Sequence, residues 1–93
     1  MLVSEVLISP QTWTQEALAR MEDGAPCHAD HPLAVCWCLL GAIDLCYPDP
    51  IDRDAARKKI HEAEEGCVQI TEWNDDPFRT YDHIKDIVER AGI

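Results

Sequence analysis

The sequence predicts a mainly α-helical single domain over residues 1–93, with four helices around a central apolar helix at about residues 33–46 and a small two-stranded ribbon near residues 17–28. Three observations lead there. From Leu33 to Cys46 the chain is apolar at almost every position, Asp44 being the one charged group, and a helix apolar on all sides has to be covered by others. From Thr80 to Gly92 the spacing of Ile84, Ile87, Val88 and Ala91 describes one helical face between an N-cap and a C-terminal glycine. A chain of 93 residues with 46% hydrophobic content has material for one core and buries roughly 60–65% of its unfolded surface.

The elements follow in order. Leu2, Val3, Val6 and Leu7 form a short helical stripe that Ser9-Pro10 stops. Between Gln11 and His28 two patterns compete. Trp13, Ala17, Leu18 and Met21 fit a helical period, whereas Asp23-Gly24 with Pro26 beyond it is hairpin chemistry, and the turn tips the balance to a ribbon. Asp30 or His31 is the expected cap of the central helix, with Pro32 in its first turn. Gly41, in the middle of that helix, marks a place where another backbone crosses closely. Asp49 as N-cap, Pro50 at the first position and Asp52 at the third start the next helix. Its expected inner side is Ile51, Ala55, Ile60 and Ala63, opposite an Asp54, Lys58, Glu62 ladder, and Gly66 ends it. Cys67 to Ile70 alternates like a short extended piece, and Thr71 to Pro77 collects capping and turn residues.

Charge narrows the function. Eighteen acidic against eight basic side chains give a formal charge of −10, so direct binding to nucleic acid or to an anionic membrane surface is excluded as a main role. The N-terminus lacks the basic region of a secretory signal, and the longest apolar run, Leu33 to Ile43 at 11 residues, falls short of the roughly 20 needed to span a membrane. Five cysteines are an odd number, which fits reduced thiols in a cytoplasm.

Four stretches also carry a resemblance: Trp13-Thr14-Gln15, Asp23-Gly24, the run Trp37-Cys38-Leu39-Leu40-Gly41-Ala42-Ile43, and Trp73-Asn74-Asp75. With these the chain resembles, from about Trp13 to Ala91, a family of small uncharacterised bacterial and phage proteins. The resemblance implies a shared fold and brings no activity and no catalytic residues. Cys27, His28 and Cys36 fall where it implies no fixed residue type, which speaks against a family-wide metal site built on them.

Candidate chemistry falls in four places. Cys27, His28, His31, Cys36 and Cys38 form a dense C-H-x2-H-x4-C-x-C set of soft ligands, but zinc sites use C-x2-C or H-x3-H pairs. On a helix from Pro32, moreover, Cys36 and Cys38 point about 200° apart. Cys36 close to a helix N-terminus, with His28 and His31 upstream, has the outline of an activated thiol, against which stands its apolar setting. In Trp73-Asn74-Asp75-Asp76 the simplest roles are an Asx turn or cap and a tryptophan packed on the core. On the last helix Asp82, Asp86 and Glu89 stand opposite the apolar face, with Lys85 and Arg90 diluting their charge.

The expectation is a small acidic, non-enzymatic, cytoplasmic interaction protein without a cofactor or metal. It would act as a phage-type inhibitor or adaptor docking on a basic protein, such as a nucleic-acid-handling or host-defence partner. The contacts would be Trp73, Asp75, Asp76, Asp82, Asp86 and Glu89, with Trp13 a second aromatic anchor. Residues 1–48 carry six acids and one base and residues 49–93 twelve acids and seven bases, which places recognition after Asp49. The rivals are a metal- or thiol-dependent protein using Cys27, His28, His31 and Cys36, and a homodimer through the third or last helix.

Overall fold

The apolar run at 33–46 is divided between a strand and a helix, and this changes the fold class. In the computed structural model, which describes residues 1–93, Ala34–Trp37 is a β-strand and the helix spans only Leu39–Cys46. The architecture is α+β, not a four-helix domain with a ribbon. Five helices, α1 (Val3–Val6), α2 (Leu39–Cys46), α3 (Pro50–Ala63), α4 (Ile70–Asp75) and α5 (Tyr81–Ala91), accompany a three-stranded antiparallel sheet of β1 (Ala19–Met21), β2 (Pro26–Cys27) and β3 (Ala34–Trp37) in the order β2-β1-β3. A single 3-10 turn, Pro10–Thr12, joins α1 to the segment leading into the sheet.

The central helix starts late for a physical reason. Asp30, His31 and Pro32 do not cap it. They belong to the connection between β2 and β3, in which the Leu33 N–H donates to His31 Nδ1 at 3.0 Å. Val35 and Trp37 suit a pleated strand, and β1 supplies a partner: Ala19 stands opposite Trp37 and Arg20 opposite Cys36, with a bulge between Arg20 and Met21. Cys38 then caps α2, its Sγ accepting the Gly41 N–H at 3.2 Å. The two strands expected from the Asp23-Gly24 turn are therefore part of a larger sheet. Gly24 takes φ +86°, a conformation glycine adopts without a Cβ clash.

Gly41 is where the sheet meets the helical layer. A Cβ there would lie 1.9 Å from the Leu18 carbonyl oxygen, and the same carbonyl accepts the Cys38 N–H at 3.1 Å. Only glycine lets α2 press against the start of β1 this closely. Behind it, Val3, Leu39, Ile43, Ile60, Ile84 and Ile87 are fully buried in one core shared by α1, α2, α3 and α5.

The two long helices are built from local signals. Asp49 Oδ1 accepts the Ile51 N–H at 2.8 Å with Pro50 in the first turn of α3. At the end of α5, Gly92 takes φ +71° and its N–H reaches the Val88 and Glu89 carbonyls. The inner side of α3 differs from the expected one. Ala56, Ile60 and Ala63 face inward while Ile51 is 79% exposed and Ala55 is open to solvent. Positions 56, 60 and 63 share one line at 100° per residue, and 51 and 55 lie off it. The stretch expected to be extended, Cys67 to Ile70, has no strand, and Ile70 to Asp75 is helix α4 where a turn was expected.

Candidate functional site

Asn74, on α4, is completely buried, and its amide is used at every position. Oδ1 accepts from Trp13 Nε1 at 2.8 Å and from the Leu39 N–H at 3.0 Å, while Nδ2 donates to the Thr14 carbonyl at 3.1 Å and to Asp75 Oδ1 at 2.9 Å. A buried amide is tolerated when its donors and acceptors are met in this way. Around it Gln15 Nε2 donates to the carbonyls of Asn74 and Asp76, both at 2.9 Å, and the Glu16 N–H donates to Asp75 Oδ1 at 2.8 Å. Glu16 itself takes φ +65°, a left-handed conformation that a side-chain-bearing residue holds only when its surroundings impose it. Arg20 completes the clasp from the sheet side, with Nε on Thr14 Oγ1 at 3.0 Å, Nη1 on the Gly24 carbonyl at 2.9 Å and Nη2 on the Gln15 carbonyl at 3.1 Å.

This placement divides the six residues expected to meet a partner. Trp73 is half-buried against the core, and the Arg79 guanidinium lies over its ring at 3.8 Å from the centroid and donates to its carbonyl. Asp75 is engaged by Asn74 and Glu16, and Asp76 Oδ1 accepts the Phe78 N–H at 2.9 Å in an Asx turn. Asp75, through its carboxylate, and Asp76, through its backbone carbonyl, belong to the clasp. Asp82, Asp86 and Glu89 are exposed on the outer side of α5, where Asp86 pairs with Arg90 at 2.9 Å. That carboxylate holds the Arg90 guanidinium above its usual range. The apolar faces of α3 and α5 are spent on a common core, with Ile60, Ile84, Ile87 and Val88 buried together.

The cysteine and histidine set is also divided. Cys27, His28 and His31 border a shallow depression of about 540 Å³ together with Glu16, Ala17, Leu18, Met21 and Pro26. Cys36 does not line it: it sits on β3, across β1 from Cys27, its Sγ 4.0 Å from the Arg20 carbonyl. No three His, Cys, Asp or Glu side chains converge in a metal-holding group. The thiol at the helix N-terminus is that of Cys38, and burial outweighs the Gly41 N–H and pushes it up, away from the thiolate a nucleophile needs. Burial likewise raises the Cys67 thiol, to about 11.

A second depression, of about 410 Å³, adjoins the first at Met21 and is lined by Glu22, Asp23, Pro32, Leu33, Ala34 and Val35. Here the sheet leaves apolar side chains outside the core, Leu33 at 65% and Val35 at 46% exposure.

A family model described as "Family of unknown function (DUF6197)" matches residues 3–92. The chain belongs to that family. No curated protein and no solved structure matches the chain. Within this DUF6197 member, the residues that sequence reasoning left out are Gln15, Glu16 and Arg20, which tie the first tryptophan segment to the second. Their signal was present in the pairing of Trp13-Thr14-Gln15 with Trp73-Asn74-Asp75, two polar-aromatic triplets in a chain with three tryptophans. No helix of this member is long and apolar enough to cross a membrane.

Proposed function

We propose that this protein works by binding a basic protein partner, as an inhibitor or adaptor, and performs no chemistry of its own. The observation that supports this most directly is how the charges are used. The arginines are engaged by groups of this chain: Arg20 holds three loop groups, Arg53 the Tyr47 and Pro48 carbonyls and Asp44, Arg57 Asp44 and Asp54, Arg79 the Trp73 ring, and Arg90 the Ala63 carbonyl, Glu64 and Asp86. Carboxylates such as Glu16, Glu22, Asp30, Glu72, Asp82 and Glu89 stand exposed and outside every ion pair. A formal charge of −10 is thus presented outward, which steers a cationic partner in and rejects anionic ones. The sequence resemblance to small bacterial and phage proteins favours a cytoplasmic nucleic-acid-handling or host-defence complex as the target.

The test is capture of partners with the wild-type chain and with Asp82→Lys/Asp86→Lys/Glu89→Lys. The expected partner is basic, dissociates as salt rises from about 0.05 M to about 0.5 M, and binds the triple variant at least about tenfold more weakly. Salt-independent binding, or retention by the triple variant of full affinity for an acidic or neutral partner, refutes the proposal.

A further inference from the structure

We propose that the partner seats a cationic amphipathic helix on the sheet face around Met21, in the part of the chain before Asp49, while the exposed carboxylates of α5 add long-range attraction to the same basic partner. The inference rests on the protein being a binder of basic partners, and it names where and in what form such a partner docks.

Two depressions of about 540 and 410 Å³ meet at Met21. Their floor and walls supply Leu18, Met21, Leu33 and Val35, and the last two are largely outside the core. Apolar side chains gathered beside a concave surface mark a contact surface more specifically than scattered ones do, and an unbranched methionine at the centre adapts to different inserted side chains. Charge sets the occupant. The rim carries Glu16, Glu22 and Asp23 beside His28 and His31, while the one arginine or lysine of this region, Arg20, has its guanidinium committed to Thr14, Gln15 and Gly24. A second copy of this chain would bring acid against acid, whereas a segment with Lys or Arg flanking apolar anchors matches both wall and rim.

Backbone geometry decides between an added strand and a helix. The outer edge of the sheet on one side is β2, which is two residues long and begins with Pro26, a residue without an N–H. On the other side the Trp37 carbonyl of β3 already accepts the Thr14 N–H at 3.0 Å. Neither edge offers a long free ladder for strand addition, β2 having two residues and β3 four with its Trp37 end already taken. The surface instead receives side chains, and a helix presenting apolar residues at i, i+3, i+4 and i+7 delivers them in a row.

The probe is a fluorescein-labelled Leu/Lys peptide patterned with leucines at that spacing, compared with a peptide of the same composition with the leucines scattered and with oligolysine. The expected result has three parts. The patterned peptide binds at least tenfold more tightly than the other two. Its amide shift changes cluster at Ala17–Met21 and Leu33–Val35. Leu33→Asn/Val35→Thr weakens it at least tenfold while Glu16→Gln/Glu22→Gln flattens its salt dependence. These four side chains project from the surface, and far-ultraviolet circular dichroism identical to wild type verifies that the variants fold. Equal binding of all three probes, no effect of Leu33→Asn/Val35→Thr, or shifts gathered at Asp82, Asp86 and Glu89 overturns the groove while leaving a basic partner in place. Absence of binding by any cationic probe at low salt overturns both.

Discussion

Around Asn74 one buried amide ties α4 to segments 35 to 61 residues away, whereas along α3 and α5 half of the ion pairs run over three or four residues, as in Lys58–Glu62, Arg57–Asp54 and Arg90–Asp86. The first region is held by a few bonds that converge on the buried Asn74 amide. The second is held by many exposed contacts above a core that would pack without them. Loss of a single group in the clasp should therefore be felt across the sheet, and loss of a single group on the helices should stay local.

Asn74→Ala is the strongest way to break this contrast. It leaves the Trp13 Nε1–H, the Leu39 N–H and the Thr14 carbonyl without their partner, and the expected loss is about 4 kcal/mol by urea denaturation. A loss below about 1 kcal/mol would mean that the clasp is dispensable. A second expectation uses pH. Cys67 is buried between the regions, and burial raises its thiol from 9.0 to about 11. The unfolded chain loses this proton near pH 9 while the folded one keeps it until about 11, so the folded state loses stability as pH rises through that window. The fall from this thiol is about 3 kcal/mol, read as a drop in the urea midpoint, and Cys67→Ala should remove that part, leaving the contribution of the raised Cys38 and Cys46 thiols, while lowering stability at neutral pH. The smallest effect belongs to the helices. Asp49→Ala removes the acceptor of the Ile51 N–H and should cost about 1 kcal/mol without changing the near-ultraviolet signal of Trp13 and Trp37. A shift in that signal would show that the helical end is coupled to the clasp after all.

The same contrast explains what was legible in the sequence. The caps of α3 and α5 were, because Asp49-Pro50 and Thr80 with Gly92 are signals carried within one turn of the helices they bound. Gly41 was too, since a glycine inside an apolar helix announces a close backbone. The division at Cys38 was hidden: Leu33 to Cys46 is apolar throughout, periodicity cannot separate a buried strand from a buried helix in such a run, and a cysteine is a weak acceptor seldom read as a cap. What makes Ala34–Trp37 a strand is β1, whose own strand character depends on Asp23-Gly24 and on Arg20. Likewise α4 looked like a turn because its polar residues serve partners around residues 13–16, which no local pattern reveals. Asp75 was read as surface charge for the same reason, since its carboxylate accepts the Glu16 N–H from another part of the chain, whereas the Asp76 side chain closes a local Asx turn.

The clasp also sets a clock. The Glu16 amide proton is held by the Asp75 carboxylate and the Leu39 amide proton by the Asn74 side chain, so both bonds last while α4 stays docked. Release of that short helix frees the start of α2 and the loop before β1 in a single event, and hydrogen exchange at positions 16 and 39 should then proceed in step although the two amides belong to different elements.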